Sequence, residues 1–199
     1  MSHFKLLITG FDPFGGEAVN PAWEAVKLLP ATIGSVTLRK LEIPTVFGLA
    51  AQRVLEAARE YKPHVILCIG QAGGRSAITP ERIAINVRDA RICDNQGNQP
   101  KGEFIDSNGP AAYFSTVDVA AMADSIEKTG IPATVSNSAG AFVCNDTLDS
   151  LLHHYAGGET RVGFIHVPYL PEQAKDSVPS MPLDKIVRGL TAAIASLET

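Results

Sequence analysis

Short apolar runs alternate along this chain with longer stretches of helical periodicity, the pattern of an α/β domain. "FKLLITG" reads as a strand that ends at Gly10. Asn20 then has the place of a helix cap, with Pro21 at the first helical position, where its missing N–H costs nothing. Thr45 is the expected cap of the next helix, whose apolar Val46, Ala50, Val54 and Ala57 recur at helical spacing. "HVILCIG", 64–70, is a continuous apolar run stopped by glycine, which predicts a central strand buried on both faces. "RIAIN", "ATVSN" and "VGFIHV" read as further strands. A last helix carries Ile186, Leu190, Ala193, Ile194 and Leu197 on one apolar stripe.

One segment breaks the rhythm. From Asp89 to Ser115 the chain is polar, bears glycine and proline, and has no clear period. Irregular stretches of that length in a compact domain usually serve function or are disordered. No repeat, linker or low-complexity block interrupts the rest, so residues 1–199 are expected to form a single domain. With 45% hydrophobic and 19% charged residues the composition is that of a globular protein. A formal charge of -4 offers no electrostatic footprint for nucleic acid. No run approaches the roughly 18 apolar residues of a membrane helix, and the apolar start is too soon followed by Asp12 and Pro13 for a signal peptide. A cytoplasmic protein is the default expectation.

Three cysteines at wide spacing form neither a disulfide framework nor a zinc ribbon. Cys68, inside "VILCIG", reads as core, where apolar burial raises a thiol pKa. Cys93 lies beside Asp94, whose negative charge disfavours a thiolate. Cys144 opens the helical pattern Leu148, Leu151, Leu152 and Tyr155; the N–H groups and positive potential of a helix start favour a thiolate there. A nucleophilic thiol wants an imidazole in reach. Of the five histidines, His3 is terminal, His64 starts a strand, and His153 and His154 are adjacent on a helix and point different ways. His166 is in phase with Val162 and Phe164 near the carboxyl end of a predicted strand, where open α/β sheets place their ligand crevice. Glu81, at the entrance of an apolar strand beside Arg82, reads from spacing alone as an exposed salt-bridge partner. The glycine-rich turns "GFDPFGG" and "GQAGGR" lack the patterns of nucleotide cradles, and the first carries Phe11 and Phe14, which suit an apolar pocket wall.

In order along the chain, "GFDPFGG", "VNPAWEAV", "GQAGGR", "ITPERIAIN", "DNQGNQP", "SNSAGAFVCN" and "GFIHVPYLPEQ" resemble the pyroglutamyl-peptidase I family of cysteine peptidases, also called pyrrolidone-carboxylate peptidases. The resemblance covers essentially the whole chain. It implies an α/β/α sandwich around a twisted mixed sheet and removal of N-terminal 5-oxoproline from peptides. It also implies a cytoplasmic, often tetrameric enzyme without metal or cofactor. The family's glutamate falls on Glu81, its nucleophile on Cys144 and its histidine on His166. By family position, Phe11, Phe14 and Phe142 wall the ring slot, Gln71 helps to hold the lactam, and Arg91 stands near the oxyanion, with the Cys144 N–H as another donor. The long segment after Asp89 is expected to cover this slot. A thiol at a helix start beside an imidazole is expected to be ionised near neutral pH. Two alternatives keep the same residues: a cysteine amidase acting on glutamine-derived substrates, and a binding module with an inert thiol.

Overall fold

A computed structural model describes residues 4–198; His3 lies outside them. The elements run β1 (Phe4–Phe11), α1 (Pro21–Leu28), β2 (Thr32–Ile33), β3 (Val36–Ile43), α2 (Leu49–Tyr61), β4 (Val65–Gln71), β5 (Thr79–Pro80), β6 (Ile83–Ile85), β7 (Ala112–Phe114), α3 (Val119–Glu127), α4 (Val143–His154), β8 (Arg161–Val167) and α5 (Leu183–Ala195). Six strands form one sheet in the order β2-β3-β1-β4-β8-β5. The four in the middle are parallel, and the two-residue strands at the edges run antiparallel to their neighbours. The sheet is therefore mixed, as the resemblance implied. No helix among the described residues is long and apolar enough to cross a membrane.

Alternation along the strands builds a core on each face. Leu6, Ile8, Leu67, Ile69, Ile165 and Val167 point to one side, against α1, α3 and α5. Leu7, Ile66, Cys68, Val162 and Phe164 point to the other, against α2 and α4. The result is a helix layer, a sheet and a second helix layer. Both faces of β4 are buried from Val65 to Gly70, as its unbroken apolar run predicts. The same period of two puts His166 on the α4 side, with Phe164.

Several local signals act as read. The Asn20 side chain accepts the Ala22 N–H at 3.1 Å, and Pro21 opens α1. Others do not. β1 continues through Gly10 to Phe11, because both backbones find partners in β3 and one in β4. Thr45 does not cap α2. Its N–H donates to Asp12 Oδ1 at 2.6 Å and its hydroxyl to the Asp12 carbonyl, so the turn after β1 takes it. The helix starts three residues later, after Gly48, whose φ of 71° glycine tolerates. "RIAIN" does contain a strand, but β6 pairs with β7 in a separate two-stranded ribbon rather than joining the sheet. "ATVSN" makes only the isolated bridges Ile78–Ala133 and Glu81–Ser136.

The irregular segment is braced rather than loose. Asn86 spans its neck, accepting from the Ile105 and Asp106 N–H groups and donating to the Asp106 carbonyl. Asp94 accepts from the N–H groups of Phe47, Gln96 and Asn98, and Asn95 donates to Asp12 Oδ1 and the Pro13 carbonyl. These bonds tie the segment to the two turns that carry Phe14 and Phe47.

Candidate active site

Cys144 is the second residue of α4, and its place is set by polar residues that follow it. The Asn145 amide accepts the Ile85 N–H at 2.9 Å and donates to the Ile85 and Val87 carbonyls. Asp146, fully buried, accepts from the Gly48 N–H at 2.7 Å and from Arg88 Nε at 2.6 Å. A carboxylate in the first turn also suits the helix dipole. The first turn of α4 is thus bolted to the segment after β6 and to the start of α2. Phe142, the residue before the helix, provides no side-chain cap. The first N–H groups of a helix have no partner within it, and the Cys144 N–H is one of these.

The thiol lies over Gly70. A Cβ built there would stand 3.0 Å from Cys144 Sγ and 2.7 Å from the Phe164 ring. Gly70 is in turn the register partner of His166 across β4 and β8. The sulfur, the Phe164 ring and the imidazole therefore share one spot at the carboxyl ends of two parallel strands, with the Phe164 and His166 ring centroids 4.8 Å apart. Gly70→Ala is expected to lower kcat at least about tenfold, with an overpacking cost of about 1–3 kcal/mol. Paired kcat and Tm measurements separate the two effects, and a variant with unchanged kcat would contradict this placement of the sulfur.

His166 is 4% exposed, and its Nδ1 stands 2.7 Å from Glu81 Oε1. A carboxylate only accepts, so Nδ1 carries the proton and Nε2 is left as the basic nitrogen. Glu81 is not the exposed charge that its spacing suggested. It is fully buried, because β5 lays the chain antiparallel against β8 and the Glu81 N–H bonds the Phe164 carbonyl at 2.9 Å. Its salt-bridge partner is Arg75 rather than Arg82: Arg75 Nη1 reaches Oε1 at 2.5 Å, and Nη2 reaches the Ser138 carbonyl.

The charges follow from these contacts. Burial pushes the Glu81 carboxyl up, but the His166 bond and charge, Ser136 and Arg75 together carry it below its ordinary value. Burial, with the Arg75 charge beside it, lowers His166 more than the Glu81 bond and charge raise it, so the resting imidazole is neutral. The thiol moves opposite to the sequence expectation. Burial, reinforced by the Glu81 charge, pushes Cys144 up to about 12, and Arg75 and the residue's own N–H offset only part of this. The helix start loses to desolvation. The resting pair is a neutral thiol beside a neutral imidazole, and no hydrogen bond joins them among the described residues.

The other anticipated residues divide. Phe14 and Phe142, both half-buried, face each other at 5.9 Å. Phe11, 1% exposed, packs under Phe164 and supports this corner from the core. Gln71 ends β4, one residue from Gly70. Arg91 is exposed, and its side chain makes no hydrogen bond or ion pair among the described residues, so it is not drawn to Cys144. Its neighbour Ile92 touches the turn at Gly15, placing the segment beside Phe14. Sequence reasoning missed Phe47, which meets Phe142 edge-on at 5.3 Å. It also missed Arg75, although "GQAGGR" was singled out. Cys68 is fully buried, its thiol pushed up to about 12 by burial, and Cys93 is exposed. No cluster of three or more metal-binding side chains occurs among the described residues.

Comparison with known proteins settles the lineage. The family described as pyroglutamyl peptidase matches residues 4–199. The chain belongs to this family. It is 55% identical over 197 residues to the pyrrolidone-carboxylate peptidase of Levilactobacillus brevis, covering 97% of each chain. The pyrrolidone-carboxylate peptidase of Staphylococcus saprophyticus is 52% identical over 197 residues, covering 97% of this chain and 92% of its own. Pyroglutamyl peptidase I of Bacillus amyloliquefaciens superimposes with a TM-score of 0.93 at 48% identity, covering 97% of this chain and 96% of that one. The pyrrolidone carboxyl peptidase of Thermococcus litoralis gives 0.92 at 37% identity, covering 98% and 93%. The pyroglutamyl peptidase family is one of cysteine peptidases, and its α/β fold is the one described above.

Proposed function

We propose that Cys144, His166 and Glu81 carry the family's reaction in this chain: removal of an N-terminal pyroglutamyl residue from peptides through a thioester. The observation behind this reading is the buried bond between His166 Nδ1 and Glu81 Oε1, next to the strand position over which the Cys144 sulfur lies. As Cys144 Sγ attacks the pyroglutamyl carbonyl carbon, its proton passes to His166 Nε2. The C=O electrons move onto oxygen, and the Cys144 N–H at the uncapped helix start is in place to stabilise that charge. The oxyanion collapses, the C–N bond breaks, and His166 returns the proton to the departing amine. Water, deprotonated by the same nitrogen, then cleaves the thioester to free pyroglutamate and restore the thiol. Glu81 keeps the imidazole in the Nδ1–H form and stabilises the imidazolium made in each half-reaction.

A pyroglutamyl ring is flat and uncharged and has no ammonium. Phe14, Phe142 and Phe47 offer it an apolar slot in which a charged N-terminus would lose hydration without compensation. In this reading Phe11 backs the slot and Arg91 lies on the rim, free to meet the peptide beyond the ring; the Gln71 side chain turns to the opposite face of the sheet, toward Gln173, so only its backbone is left to meet the lactam. Residues 1–199 act as one domain. A cytoplasmic location and a homotetramer come with the family resemblance and do not enter the chemistry. Comparing pyroglutamyl-, prolyl- and glutaminyl-anilides tests the assignment: only the first should turn over appreciably, and preference for the glutaminyl substrate would favour an amidase.

The neutral resting pair makes a pH prediction. The base must be unprotonated, and its pKa is lowered from 6.5. The acid limb of kcat/KM should therefore fall below pH 6.5, with no alkaline limb from loss of an imidazolium. A preformed ion pair would instead show an alkaline limb where the imidazolium deprotonates, and finding one would overturn the neutral assignment.

A further inference from the structure

The turn "GQAGGR" cradles no nucleotide, and what it delivers is its last residue. Past the end of β4 the Ala72 N–H still bonds the Val167 carbonyl at 2.9 Å, and then the chain bends away from the sheet. A Cβ on Gly73 would run into the Tyr169 ring, and Gly74 has a φ of 86°, so the bend needs glycine at both positions. It leaves Arg75 half-buried beside β5. Arg75 Nη1 donates to the Thr79 hydroxyl oxygen and to Glu81 Oε1, each at 2.5 Å, and Nη2 donates to the Ser138 carbonyl at 3.0 Å. The Thr79 hydroxyl donates in turn to the His166 carbonyl at 3.4 Å. Ser138 lies on the stretch that bridges to Glu81 at Ser136 and runs on into α4.

Glu81 Oε1 thus takes two donors, the guanidinium and the imidazole. We infer that Arg75 is a positioning residue for the reaction: Thr79 and Ser138 anchor its planar fork, and the fork holds the Glu81 carboxylate against His166 Nδ1. The inference rests on the reading of Glu81, His166 and Cys144 as the reacting set. Arg75 reaches that set through Glu81. Its charge has a second, separable effect. The charges acting on His166 are Glu81, which raises its pKa, and Arg75, which lowers it. Cys144 feels Glu81 and Cys68 upward and Arg75 downward. During acyl transfer an imidazolium and an oxyanion form together, and Arg75 acts on them with opposite signs. Its fork should therefore show in kcat, and its charge in the pH profile.

The test measures kcat and the acid limb of kcat/KM on pyroglutamyl anilide. Arg75→Lys keeps the cation, but one ammonium cannot reproduce the fork. It should lower kcat about tenfold, the cost of a loosened catalytic group, and leave the acid limb where it was. Arg75→Met should lower kcat about 10- to 100-fold and move the acid limb to higher pH, because losing a cation favours proton uptake by the Glu81–His166 pair. That shift is opposite to the one expected for Glu81→Gln. In a Glu81→Ala background there is no carboxylate to hold, and Arg75→Met should change kcat by no more than about twofold. This double variant also buries no unpaired carboxylate, and Arg75→Lys keeps the test decisive if Arg75→Met alone does not fold. Unchanged kcat in Arg75→Lys, or a loss in Arg75→Met that persists undiminished without Glu81, would overturn the inference. An acid limb that stays in place in Arg75→Met would remove the effect of its charge on the pair. Unaltered kcat in Glu81→Ala itself would instead sink the reading of the reacting set, and the inference with it.

Discussion

Cys144→Ala is expected to abolish cleavage of pyroglutamyl anilide, a loss of at least about 10⁴-fold in kcat, while the folded protein keeps its Tm to within a few degrees. Loss of a nucleophile that works as one unit with its base removes nearly all of the chemistry. The thermal expectation follows from the surroundings. Cys144 is half-buried, and its helix turn is held by Asn145 and Asp146, whose bonds do not involve the sulfur. Removing the thiol also removes a group of raised pKa rather than a binding partner. Cys144→Ser is expected to be nearly as inactive, since a hydroxyl is still harder to deprotonate than a thiol already pushed up to about 12. Activity near that of the unaltered enzyme in Cys144→Ala would dismiss the nucleophile assignment.

Glu81→Gln should lower kcat about 10²- to 10⁴-fold, and His166→Ala should lower it further. An amide in place of Glu81 can still meet the ring, but it cannot stabilise the imidazolium. The two variants differ in a second readout. Glu81 raises the pKa of His166 against the pull of burial, so without its charge the imidazole becomes a weaker base. The acid limb of the residual activity in Glu81→Gln should therefore move to lower pH. An acid limb that stayed in place, or moved up, would show that the carboxylate does not govern the imidazole. The change also leaves Arg75 without its buried partner, and some loss of stability is expected with it.

How far the chain could be read without coordinates depended on whether a residue's job was local. The runs that became β1, β4 and β8, the Asn20–Pro21 helix start and the apolar stripe of α5 all follow from patterns within a few residues. β3 escaped notice because "VTLRKLEI" carries two cations and a glutamate. Arg39 reaches Glu60, and Lys40 reaches the backbone at the end of α1, so their charged ends avoid the core while Val36, Leu38 and Ile43 fill it. The start of α2 was misplaced because a distant aspartate claims Thr45.

The site shows the same division. Cys144 at a helix start and His166 near a strand end were visible from period and position. Glu81 was not, because only the antiparallel laying of β5 on β8 hides it and turns it to the imidazole. The family resemblance supplied that residue, and geometry supplies the reason for it. Arg75 reaches Glu81 from the turn after β4, and no spacing rule picks it out. The expectation of a ready thiolate failed for a related reason: the helix start is a local feature, while desolvation by Gly70, Phe164 and their neighbours is not.

The central claim is that the Cys144 sulfur takes the pyroglutamyl group during turnover. It is tested most directly by mixing enzyme with pyroglutamyl anilide, quenching in acid within a single turnover, and locating the added mass by peptide mapping. Acid preserves a thioester, and the three cysteines fall in well-separated parts of the chain. The account predicts one pyroglutamyl group on the peptide bearing Cys144, none on those bearing Cys68 or Cys93, and loss of the adduct in Cys144→Ala. A pyroglutamyl group on the Cys93 peptide that survives in Cys144→Ala would contradict it.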